Sequence, residues 1–73
     1  MDNTIRVLRA IKKVSQQEVA DALDVTVQTI NAIENNRYGP SYLLGARIAD
    51  YFGVHPHQVF ILDAEDRKKK EPK

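Results

Sequence analysis

Apolar positions recur at helical spacing through most of the chain, most clearly between residues 15 and 37, SQQEVADALDVTVQTINAIENNR. Val19, Ala20 and Leu23 fall on one face of a short helix, and Ile30 and Ile33 on one face of a second. Asp24 stands between the two stripes, where the chain must turn sharply, and Asp tolerates the left-handed backbone better than most non-glycine residues. Each helix carries its own start signal. Ser15 followed by Glu18 is a capping box, in which hydroxyl and carboxylate satisfy free amides at the helix end. Thr26 can cap the second helix through its hydroxyl. Ala20 is small where the two helices must approach closely.

The same rhythm organises the flanks. Ile5, Leu8 and either Ile11 or Lys12 predict a first helix from near residue 2 or 3 to about residue 13, after which Val14 should re-enter the core. Asn35-Asn36-Arg37-Tyr38-Gly39-Pro40 is rich in turn-forming residues and reads as a loop. Ser41 then caps a fourth helix whose apolar side carries Leu44, Ile48, Ala49 and Phe52, and Gly53 ends it. Leu43 and Tyr51 fall off that stripe and together could feed a subunit contact. In His55-Pro56-His57, proline occupies its preferred first position of a last short helix. Val59, Phe60, Ile61 and Leu62 are apolar all round. A partner surface, or a short strand pairing across a dimer, would explain them. From Ala64 onward the chain is charged and aperiodic. Residues 1–62 are therefore expected to form the domain and 63–73 a charged, disordered tail.

Composition narrows the picture without naming a function. With 73 residues there is room for one core, and a chain this short buries only about 60% of its extended surface, so oligomerisation would support it. The absence of cysteine excludes disulfides and thiolate chemistry. No apolar run approaches the ~20 residues of a membrane span and no signal peptide is recognisable, so a cytoplasmic location without membrane contact is expected. The net charge of +1 argues little for or against nucleic acid, and charge is evenly spread apart from Arg67-Lys68-Lys69-Lys70. Enzymatic readings have little to stand on. Ser15 and Ser41 are accounted for as caps, and no glycine-rich phosphate loop exists. His55 and His57 would diverge and lack further ligands nearby. No metal and no cofactor are expected.

A helix pair joined by a tight turn can carry its second member into a DNA major groove. At this point the sequence resembles the Cro/CI-type, or xenobiotic-response-element-type, helix-turn-helix transcriptional regulators, especially their short stand-alone members. The residues that carry the likeness are Ile5, Leu8 and Arg9, then Ser15, Gln16, Glu18, Val19 and Ala20, then Val25, Thr26, Gln28, Thr29, Ile30, Asn31, Ile33, Glu34 and Asn35. It continues through Tyr38, Pro40 and Ser41, then Ile48, Ala49, Phe52, Gly53 and Val54, to Val59 and Phe60.

The resemblance implies an all-α, compact five-helix, lambda-repressor-like domain with its helix-turn-helix at 16–35. Some short members end in a small β-structure, which lends support to a strand near the C-terminus. It also implies an Arg9–Glu34 ion pair joining the first helix to the third. Family members often have glycine where Lys13 stands, so the first helix is expected to be less sharply capped.

By the family pattern Thr26, Val27, Gln28, Asn31 and Ala32 face base edges. Gln28 can both donate and accept at adenine, and Val27 can meet a thymine methyl or rest on a sugar. Chemistry alone would equally allow Gln28 and Asn31 to be polar filler on an exposed face. Phosphate contacts need donors rather than bulk charge. Gln16 stands at a helix start with free amides beside it, and Thr29, Asn35, Asn36, Arg37 and Tyr38 supply the other donors.

The function expected is a sequence-specific regulator of transcription, a repressor that binds an inverted repeat in double-stranded DNA. It would act as a homodimer joined through the last helix and Val59, Phe60, Ile61 and Leu62. The rivals are a DNA-binding antitoxin that neutralises a partner protein and a helix-turn-helix fold used only for protein interaction.

Overall fold

The chain begins as a strand, not as the helix expected from residue 2 or 3. The computed structural model describes residues 1–68, and in it β1 (Asp2–Asn3) pairs antiparallel with β2 (Phe60–Ile61), Asp2 opposite Ile61 and Asn3 opposite Phe60. Between them lie α1 (Ile5–Lys12), α2 (Gln16–Leu23), α3 (Val27–Glu34), α4 (Tyr42–Phe52) and α5 (Pro56–Val59), and β2 is followed by α6 (Ala64–Lys68). Among the described residues there are thus six helices and one two-stranded sheet, one helix more than expected.

The late start of α1 has a local cause. Asn3 Oδ1 accepts the N–H of Ile5 (3.1 Å), while the N–H of Thr4 donates to the Val59 carbonyl (2.9 Å) and its hydroxyl to that of Gln58 (2.7 Å). Residues 2–3 therefore pair with β2, and Thr4 donates to the far end of the chain, instead of extending the helix. The helix ends at Lys13, which takes a left-handed conformation (φ 61°) without being glycine.

The core is apolar and continuous. Ile5, Val19, Ala20, Leu23, Ile30, Ile33, Ile48, Ala49 and Val59 are buried, with Leu8, Val14, Leu44, Phe52 and Phe60 packed around them. The third position expected on the α1 stripe does not join it. Ile11 is 73% exposed and Lys12 lies outside, its ammonium 5.2 Å from the Tyr51 ring centre. Left-handed Lys13 turns the chain so that Val14 supplies the next inward side chain. Tyr51, read as off the α4 stripe, packs against the core edge-on to Phe52 (ring centres 4.9 Å apart), whereas Leu43 stays exposed.

Two expectations for the C-terminal third need correcting. Val59 has no exposed surface and cannot join subunits, because α5 turns it inward onto Ile5 and its neighbours. The strand that follows pairs with residues 2–3 of its own chain rather than across a dimer. The tail read as disordered is helical through Lys68. Asp63 and Asp66 cap each other's amides at the start of α6, and the Met1 ammonium bridges both carboxylates at 3.2 and 2.7 Å. The last residues of that expected tail, 69–73, lie outside the described residues.

Candidate nucleic-acid interface

The interface is built from the turn between α2 and α3. The Ser15 hydroxyl accepts the N–H of Glu18 (3.0 Å) and Glu18 Oε1 accepts that of Ser15 (3.1 Å), which sets the start of α2. The helix stops at Asp24 in the left-handed region (φ 56°), its N–H directed at the carbonyls of Ala20 and Asp21. Thr26 then caps α3 by accepting the N–H of Thr29 (3.2 Å). With Ala20 fully buried between the helices and Ile30 and Ile33 facing the core, the opposite side of α3 must face outward.

On that outer side Gln16, Val27, Gln28, Asn31, Ala32 and Arg37 line one open concavity. Thr26 and Gln28 are exposed, and Asn31 and Ala32 are half-buried. Val27 is half-buried because part of its side chain packs onto the core, leaving the remainder at the rim. The hydroxyl of Thr29 lies 3.0 Å from that of Thr26, so it belongs to the cap as much as to the surface. Asn35 donates its amide to the Asn31 carbonyl (2.8 Å) and finishes the helix. Beyond it Asn36 is left-handed (φ 59°), Arg37 is exposed with its N–H donated to the Ala32 carbonyl, and Tyr38 is half-exposed.

Behind this surface sits a buried carboxylate. The side chain of Glu34 has no exposed area. Arg9 donates from Nε to Oε2 (2.7 Å) and from Nη2 to Oε1 (3.1 Å), and Gln16 donates its amide to Oε1 (3.2 Å). Arg6 Nε stands 3.6 Å from Oε1. Burial pushes the Glu34 carboxyl up, but the hydrogen bonds from Arg9 and Gln16 and the charges of Arg9 and Arg6 outweigh it, and its pKa is lowered. The Glu34 hydrogen bonds hold the Arg9 guanidinium above its usual range. Among the described residues no buried side-chain nitrogen or oxygen lacks a partner. Gln16 therefore does two things. It gives one of its two amide hydrogens to Glu34 while opening the helix whose first amides have no carbonyl partner inside it.

Residues that periodicity did not single out complete the arrangement. Asn3 donates its amide to the carbonyl of Ile33 (2.9 Å) and to Oδ1 of Asn36 (2.9 Å), and Asn36 donates to Asp2 (3.4 Å). The end of α3 and the loop after it are thus held by the N-terminal strand. The only hint in the chain is an asparagine just ahead of a helix, which says nothing about a partner 30 residues away. Arg6 had no hint beyond lying one turn before Arg9.

What this geometry offers is a set of neutral amides and an exposed guanidinium around one open concavity, suited to hydrogen bonding with base edges and phosphates. Among the described residues no group of three or more His, Asp or Glu side chains could hold a metal ion. No helix among them is long and apolar enough to cross a membrane.

Comparison with known proteins points the same way. The family model described as Helix-turn-helix matches residues 5–59. The chain is 42% identical to an uncharacterised HTH-type transcriptional regulator of Methanothermobacter thermautotrophicus, over 93% of this chain and all of that one. It is 38% identical to another from Bacillus subtilis, over 90% of this chain and again all of the relative. Among solved structures it resembles the hypothetical transcription factor NHTF from Neisseria, with a TM-score of 0.70 and 25% identity, covering 86% of this chain and 71% of that one.

Proposed function

The chain belongs to the Cro/CI-type helix-turn-helix family, and from that premise we propose that it is a repressor that binds an inverted-repeat operator as a homodimer, with α3 in the major groove. Membership makes it a DNA-binding regulator and not an enzyme. The observation that carries the finer reading is the shared concavity in which Gln16, Gln28, Asn31 and Arg37 face the same space. Gln28 and Asn31 read base edges, and Thr26 and Val27 flank them at the helix start. Gln16, Thr29, Asn35, Asn36, Arg37 and Tyr38 position the domain on phosphates. The same reading puts the protein in the cytoplasm.

One protomer of this size supplies too small an interface for tight specific binding, which favours a pair reading two half-sites about 34 Å apart. Selection of bound fragments from random duplex DNA tests this. An inverted repeat with half-sites one helical turn apart is the expected product. Failure to retain any duplex at low salt would overturn the reading in favour of a protein-interaction module.

A further inference from the structure

The guanidinium of Arg6 borders the Glu34 network without being bound into it. The Arg6 side chain is 70% exposed, and its Nε lies 3.6 Å from Glu34 Oε1, beyond hydrogen-bond range. The carboxylate is already served. Arg9 bonds to both of its oxygens, and Gln16 adds a third hydrogen bond at Oε1. Arg9 alone balances the charge of Glu34, so Arg6 leaves the cluster with one positive charge in excess.

That charge stands beside the groups assigned to phosphates. The Gln16 amide and Arg6 Nε approach the same oxygen, at 3.2 and 3.6 Å, so the two nitrogens lie no further apart than those distances end to end. Gln16 lines the concavity beside α3. Three residues before Arg6, Asn3 is bonded to Asn36 on the loop beyond α3. The first turn of α1 is thus held against the end of α3. Among the described residues lining the concavity, only Arg37 is charged.

We propose that Arg6 is a further phosphate contact, sharing one backbone phosphate with the amide hydrogen of Gln16 that Glu34 does not take. A backbone phosphate carries two unesterified oxygens. With donor–oxygen distances of about 2.9 Å, one oxygen on Arg6 and the other on Gln16 span the gap between the two nitrogens. A guanidinium suits the task, being always charged and offering five N–H donors in a fixed fork. Glu34 steadies both donors through Oε1, and its own side chain has no exposed area with which to meet the phosphate. As a structural pair alone Arg6 would add little, because an exposed partner beyond hydrogen-bond range is screened by water.

This inference rests on the DNA-binding reading above but needs neither the dimer nor the inverted repeat. Arg6→Gln in the full chain, titrated with unselected duplex at several salt concentrations, tests it. The slope of log affinity against log salt should be shallower than wild type by about 1 per protomer. Affinity at a fixed low salt should fall at least about 3-fold, by the same factor for every sequence. Arg6→Lys keeps the charge and should restore the slope. Lys12→Gln removes the same charge from the other end of α1, beside the Tyr51 ring, and should leave the slope unchanged. The unfolding midpoint of Arg6→Gln should match wild type. With duplex recovered by selection, replacing single phosphates by neutral methylphosphonate should find one position that weakens wild type but not Arg6→Gln, and Gln16→Ala should blunt the loss at that same position.

If wild type retains duplex and Arg6→Gln matches its slope and affinity, this inference falls and the DNA-binding reading stands. A lowered unfolding midpoint with an unchanged slope, or an equal change of slope in Lys12→Gln, overturns it in the same way. Different positions for Arg6 and Gln16 in the methylphosphonate scan would refute the shared phosphate. A wild type that retains no duplex at low salt sinks both readings.

Discussion

The two ends of α3 are built on opposite plans. At the start, Thr26 and Gln28 stand in the open, and the helix is held there by the threonine cap and by the part of Val27 that packs onto the core. At the end, Ile33, Glu34 and Asn36 are gripped from α1 by Arg9, from α2 by Gln16 and from β1 by Asn3. A reading head needs unsatisfied amides, and amides held in internal hydrogen bonds cannot serve as one. Its angle must nevertheless be fixed, because a small rotation at the anchor moves the tip out of register. The molecule separates the two demands along one helix, with internal polar bonds at one end and exposed polar groups at the other.

That contrast can be broken at the anchor first. Arg9→Ala should cost about 3–5 kcal/mol in denaturant unfolding, because it strands the Glu34 carboxylate without exposed surface. A cost under about 1 kcal/mol would place the pair with ordinary surface ion pairs. At the tip the signs reverse. Gln28→Ala should leave stability within about 0.5 kcal/mol. It should weaken binding to the selected site by about 1–3 kcal/mol, roughly 10- to 100-fold, and relax preference at one base pair. Uniform weakening across all sequences in a gel-shift titration would instead make Gln28 a phosphate contact.

Asn3→Ala tests the third grip. About 1 kcal/mol of stability should go with the lost hydrogen bonds. Amide resonances of Asn35, Asn36 and Arg37 should shift while those of Thr26 and Gln28 stay put, and movement at both ends would refute independent anchoring.

The smallest effect is in acid. The folded-state pKa of Glu34 is depressed below the ordinary 4.5. Its contribution is therefore present above that value and lost as pH falls through the folded-state pKa. Stability measured from pH 6 downward should decline below about 4.5, and Glu34→Gln should flatten that decline. An unchanged slope would mean other carboxylates carry the acid response.

Much of the fold was legible because its signals are local. Ser15 with Glu18, Thr26 with the amide of Thr29, Ser41 with that of Leu44 and Gly53 at the end of α4 are contacts within three or four residues. The solvent-facing side of α3 followed from Ile30 and Ile33 by period alone. Ile11 shows where periodicity stops: the stripe is real for Ile5 and Leu8, but Lys13 bends the chain before a third turn can use it.

By itself the sequence determined α2, α3, α4 and α5, where each of these begins, and which face of α3 is left outward. Hydrogen bonds and apolar repeats at spacings of three and four are set by helix geometry and need no knowledge of the remainder of the chain. The tertiary structure alone decided that residues 2–3 pair with residues 60–61, that Val59 turns inward, and that Met1 meets Asp63 and Asp66. It also decided that Asn3 closes the far end of α3. Those contacts join residues 30 to 65 positions apart. Which of several compatible groups meet across such a separation depends on how the helices pack, and no repeat in the chain encodes it.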